Sequence, residues 1–146
     1  MAVIERAGML VGRRVVVIGV GMLGLTAVAA ASSAGAASVV AVDPHRARRG
    51  MAERFGASEV QSSTVRLKDC DTLLEFSGSS AALQEGLRAL DVQGVAVLAG
   101  PVAPAHLHHR CVQLRAQAPD RSPEFSAGDA RAVFLGRPRR RPSTTR

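Results

Sequence analysis

Residues 14–26 read Arg14-Val15-Val16-Val17-Ile18-Gly19-Val20-Gly21-Met22-Leu23-Gly24-Leu25-Thr26, and they decide the fold. Four consecutive β-branched residues, Val15 to Ile18, suit a strand buried on both faces. A turn follows from Gly19 to Gly24. A helix of small residues is expected from Met22 to Ala34, with Gly35 as its stop. GxGxxG spacing alone is a weak signal, because Gly-rich turns are common. Here a hydrophobic strand feeds the turn and a small-residue helix leaves it, which is the context the motif requires. Gly19 permits the tight turn, Gly21 leaves room for a pyrophosphate at the backbone, and Gly24 lets the helix pack on the strand. The N–H groups at the Met22-Leu23 end of that helix then face the phosphates, aided by the helix dipole.

Ser38 to Val42 reads as a second strand, and Asp43 stands at its tip, nineteen residues after Gly24. A carboxylate there can accept the hydroxyls of an adenosine ribose and repels a 2′-phosphate, which favours NAD over NADP. Arg46, Arg48 and Arg49 soften that preference, since an Arg just past the acid can accept a phosphate. The competing readings are a purely structural βα turn and an Asp that only caps a helix.

Strand and helix keep alternating beyond this point. Asp43-Pro44 is expected to open a helix, with Ala47, Met51, Ala52 and Phe55 on its apolar stripe and Gly56 at its end. Ser58–Val60 and Thr72–Phe76 read as strands three and four. Leu83, Leu87 and Leu90 lie on one face of the next helix, and Val95–Ala99 is a fifth strand. The alternation predicts an α/β fold, a Rossmann-type doubly wound parallel sheet. Residues 1–104 should form this single domain, continuing weakly to 136 through a strand at Val112–Ala116 and a helix at Glu124–Leu135. Residues 137–146, rich in Arg and Pro, are expected to be a disordered basic tail.

Composition narrows the function. With 146 residues there is room for one domain. Aromatic residues make up 3%, so Val, Leu, Ala and Ile must build the core. The net charge of +7 divides unevenly. In residues 1–105 ten basic side chains stand against nine acidic ones, whereas residues 106–146 carry nine Arg against Asp120, Glu124 and Asp129. The excess therefore belongs to the tail and argues against specific nucleic-acid binding by the folded part. Cys70 and Cys111 form no disulfide framework, as suits a cytoplasmic protein. Val15 to Val42 is uncharged, but its glycines and its Ala/Ser dilution argue against a membrane span. His106, His108, His109 and Cys111 match no standard zinc spacing, and a solvated segment is the expectation. No GxSxG, GxxxxGK or HExxH motif is present.

Several stretches together resemble the cofactor domain of medium-chain, zinc-type alcohol dehydrogenases. They are residues 2–8 and 12–19, Val42-Asp43 with Arg48, Phe55-Gly56-Ala57, Leu74-Glu75-Phe76-Ser77-Gly78 and residues 94–100. Gly21 to Thr26 and Leu90-Asp91-Val92 look most like the alcohol dehydrogenase-like proteins associated with phosphonate catabolism. The resemblance covers residues 1 to 104. It implies that Asp43 holds the adenosine ribose with Arg48 against it. It also implies that Ser77, Gly78, Ala99, Gly100 and Pro101 line the nicotinamide side of the cleft.

Departures from that pattern are as informative. The family's Cys- and His-bearing catalytic domain would precede this stretch, so no catalytic residue and no metal ligand is assigned here. The segment from Ala57 to Asp71 is short for the family, and after Pro104 the pattern gives way to His, Arg and Pro. These features suggest a partial or frame-disrupted member. The expected partners are NAD(H) and a small alcohol, with no membrane, and self-association left open. The expected activity is hydride transfer, with little or no turnover by this stretch alone, because zinc is bound elsewhere in the family. Two other classes stay open: a non-enzymatic nucleotide-binding module completed by another chain, and a nucleic-acid binder acting through the Arg tail.

Overall fold

The computed structural model describes residues 2–99, together with the backbone of two further strands at 112–116 and 130–133. Helix α1 spans Ala2–Ala7, and β1 spans Arg14–Ile18. Then come α2 at Met22–Ser33, β2 at Ser38–Val42, α3 at Arg46–Arg54 and β3 at Glu59–Gln61. After these lie β4 at Cys70–Glu75, α4 at Ser80–Arg88 and β5 at Leu90–Leu98. The sheet closes with β6 at Val112–Ala116 and β7 at Ala130–Val133.

The strand order is β3-β2-β1-β4-β5-β6-β7. Strands β1 to β5 are mutually parallel, as the alternation predicts. The last two strands are antiparallel to their neighbours, so the sheet is parallel only through its first five strands.

Strands β1, β2 and β4 are buried on both sides, and the alternation along each of them sorts the core. Val15, Val17, Val39, Ala41 and Leu74 face α1, α2 and Ala52 of α3. Val16, Ile18, Val40, Val42 and Leu73 face the opposite way, toward α4. This explains why β1 reads as an unbroken run of β-branched residues: neither face meets water. Each fully buried Val contributes about 1.5–3 kcal/mol of hydrophobic stabilisation.

Four local expectations need correction. Pro44 does not begin α3, whose N-cap is His45. The Asp43 side chain accepts the His45 N–H at 2.8 Å instead, a turn that Asp favours over helix entry. Leu90 starts β5 rather than ending α4. Its side chain nevertheless packs in the same cluster as Leu87, so the apolar periodicity was a packing signal that outran the helix. Strand β5 is longer than expected and kinks where Gln93 adopts a φ of 66°. Within the expected helix 124–135, Ala130–Val133 is a strand that pairs with β6, because sheet pairing outweighs the weak local helix preference of that stretch. The expected tail at 137–146 and the His106–Cys111 run lie outside the described residues.

Candidate functional site

Registers place the strand tips together. Ile18 aligns with Val42 on one side and with Glu75 on the other, Glu75 aligns with Leu98, and Val42 aligns with Gln61. The segments after these residues therefore all emerge along one edge. From β1 the chain crosses to β2 through α2 on one face, and from β4 to β5 through α4 on the other. The crevice between β1 and β4 is thus a topological switch point, where open α/β sheets bind ligands.

A cleft of about 600 Å³ opens there. Of the residues expected from the sequence, Gly19, Gly21, Asp43, Arg48 and Ser77 line it. Met22 and Leu23 do not line it; they are strongly exposed at the start of α2. Gly24 does not line it but lies beneath the turn, against the Gly19 carbonyl, and Gly78 is also absent from the lining. Ala99 donates its N–H to the Glu75 carbonyl at 2.9 Å, just past the end of β5. Gly100 and Pro101 lie outside the described residues. His45, Ser62, Ser63, Thr64 and Val65 also line the cleft and were not singled out. Their signal was available in principle, since the segment after any strand of a parallel sheet reaches the same edge.

The three glycines play distinct roles. Gly19 has a φ of 83°, and a Cβ there would lie 2.6 Å from the Ser77 nitrogen and 2.7 Å from its Cα. The two turns pack backbone against backbone. A Cβ on Gly24 would press on the Gly19 carbonyl, so only glycine lets α2 sit this close to β1. Gly21 differs. It is the N-cap of α2 with a φ of −70°, and a Cβ there would meet nothing within 4 Å. Neither packing nor backbone conformation requires glycine at that position, so the open space above it is available to a ligand. Among the described residues no side chain caps the α2 N-terminus, which leaves the helix's first N–H groups for an anion.

Asp43 is 2% exposed. Its Oδ2 accepts the Val20 N–H at 3.1 Å and lies 3.6 Å from Arg48 Nη1, while Oδ1 takes the His45 N–H. Arg49 Nη1 donates to the carbonyls of Asp43 and Pro44 at 2.7 and 2.8 Å, fixing the turn from behind. Arg48 lies in the cleft wall, half exposed, beside the acid. The site therefore pairs an anion-seeking helix end with an acid and an arginine at the next strand tip. That arrangement fits a phosphate-linked nucleoside.

Among the described residues, no three His, Cys, Asp or Glu side chains converge as a metal site, so no step through zinc is derived from them. Also among the described residues, no helix is long and apolar enough to cross a membrane.

Known proteins resemble this chain in sequence and fold. L-threonine 3-dehydrogenase of Pyrococcus furiosus is 34% identical over 105 residues, which is 64% of this chain and 30% of that protein. The structure of L-idonate 5-dehydrogenase from Escherichia coli superposes with a TM-score of 0.60 at 28% identity, covering 66% of this chain and 30% of its own. Benzyl alcohol dehydrogenase from Acinetobacter calcoaceticus gives a TM-score of 0.65 at 26% identity, covering 86% and 33%. The chain thus spans about a third of the length of these relatives. The family described as zinc-binding dehydrogenase matches residues 22–115, and the chain belongs to that family.

Proposed function

We propose that this chain holds the cofactor for a dehydrogenase that moves hydride between an alcohol carbon and a nicotinamide, and that it prefers NAD to NADP. The observation that carries the reading is the pairing of Gly21, open above its Cα, with the buried Asp43 at the neighbouring tips of β1 and β2. The pyrophosphate would rest over Gly21 and the uncapped end of α2. The adenosine ribose would reach Asp43, whose negative charge disfavours a 2′-phosphate. Arg48 would flank the adenosine from the cleft wall, and Ser77 would border the far side of the crevice, toward the nicotinamide. Once bound, the nicotinamide supplies the hydride-accepting carbon. The residues of this chain bind, orient and shield it.

The relatives named above act on threonine, idonate and benzyl alcohol, each a hydroxyl compound, which supports an alcohol as the substrate class. Competition tests the binding mode. NADH fluorescence should rise on addition of the chain, and ADP-ribose should reverse the rise. Displacement by nicotinamide mononucleotide but not by ADP-ribose would overturn the assignment of the adenosine end to Asp43.

A further inference from the structure

Glu75 ends β4 between Ile18 and Leu98, and it is completely buried. A carboxylate in a sheet interior is costly unless its oxygens are satisfied. One of them is. Oε1 accepts the Ser77 N–H at 2.7 Å, the Gly78 N–H at 3.1 Å and the Ser77 hydroxyl. The other, Oε2, is buried with no hydrogen-bond partner among the described residues. The Ser77 hydroxyl in turn accepts the Ser79 N–H at 3.1 Å, and the Ser79 hydroxyl caps α4 by accepting from Ala82 N at 3.3 Å. A chain of bonds thus runs from Glu75 through the turn into the helix. The same turn is the one that touches Gly19 backbone to backbone.

We propose that Glu75 is a positioning residue of the cofactor cleft, holding the Ser77–Gly78 turn against Gly19 through a single oxygen. The inference rests on the nucleotide-binding reading above and adds a residue that lies outside the cleft wall. Two peptide N–H groups and a hydroxyl converge on Oε1, while no described residue bonds to Oε2. The need is therefore for an acceptor at that point, reached at glutamate length, and not for the second oxygen or its charge. Without it, the Ser77 and Gly78 N–H groups would lose their shared acceptor and be free to turn elsewhere, and the wall facing Gly19 would shift.

Two conservative variants of the full chain separate reach from charge. Glu75→Gln keeps the acceptor and discards the charge. Glu75→Asp keeps the charge but draws the oxygen back by about 1.5 Å. We expect NADH affinity within about threefold of the parent for Glu75→Gln and weaker by about tenfold for Glu75→Asp, the loss of one good hydrogen bond. Amide exchange at Ser77 and Gly78 should quicken in Glu75→Asp while β1 and β2 stay protected. If Glu75→Asp does not fold, Ser77→Ala cuts the link to Ser79 and should weaken NADH binding about fivefold at an unchanged melting temperature. Parent-like affinity and exchange in Glu75→Asp would overturn the proposal. So would a Glu75→Gln variant as weak as Glu75→Asp, or, where Glu75→Asp does not fold, a Ser77→Ala variant as tight as the parent. A parent chain that binds no NADH contradicts the nucleotide reading instead, and the exchange comparison still decides whether Glu75 holds the turn.

Discussion

The Val20 N–H points at Asp43 Oδ2 from 3.1 Å, inside the protein. The acid at the tip of β2 therefore holds the glycine turn at the tip of β1. A residue expected to recognise the ribose also fixes the loop that would carry the phosphates. The His45 N–H on the other oxygen gives it a third task, shaping the turn into α3.

Asp43→Ala should consequently lose stability as well as specificity. It strips the acceptor from the buried Val20 N–H, at a cost of about 1–3 kcal/mol. Asp43→Asn keeps one acceptor oxygen and should lose less. Denaturant unfolding measures both, and NADH and NADPH titrations of the same samples should show the preference for NADH narrowing. An Asp43→Ala variant as stable as the parent would separate the acid from the turn.

Gly21 and Gly24 should respond in opposite ways to the same substitution. Gly21→Val places its side chain in open space at an ordinary φ, so stability should hold while NADH binding is lost. Gly24→Val drives a side chain into the Gly19 carbonyl, and should destabilise by about 1–3 kcal/mol or more. Melting curves beside NADH titrations of the two variants check the contrast.

Cys70 is fully buried beneath the α4 side of the sheet. Burial, foremost, pushes its thiol up from an ordinary 9.0 to about 12. It should therefore resist maleimide at pH 8 in the native state and react only on unfolding. The sign for stability follows from which state keeps the proton. Between pH 9 and 12 the unfolded chain ionises this thiol while the folded chain does not, so stability falls as pH rises across that window. Below pH 9 the thiol contributes no slope. Comparing unfolding at pH 8 and 10.5 in the parent and in Cys70→Ala isolates the effect, and the parent should lose more.

The first five strands were legible because their signals are local and redundant. In β1 and β2 the β-branched runs, and at Gly35 and Gly56 the positive-φ stops, agree with the packing. Gly19 and Asp43 are readable from the glycine turn and the spacing of the acid, whereas the register that brings Ser77 beside them is implied only by the family pattern, since it depends on strand pairing far apart in sequence. Leu90 and the 130–133 strand depart from the helices expected there for a common reason. Apolar spacing reports that a side chain is wanted in the core, and short stretches leave helix and strand open. Glu75 carries no signal of its own in the sequence, because nothing there shows that its carboxylate turns inward onto Ser77 and Gly78. The Ser62–Val65 wall escaped notice because a weak three-residue edge strand precedes it.

Calorimetric titration of NADH into the parent chain and into Gly21→Val tests the central claim most directly. The account predicts one site in the parent, tighter for NADH than for NADPH, and no binding to a Gly21→Val chain whose circular dichroism matches the parent. Equal affinity of parent and variant for NADH, or no heat from the parent with either nucleotide, would contradict it.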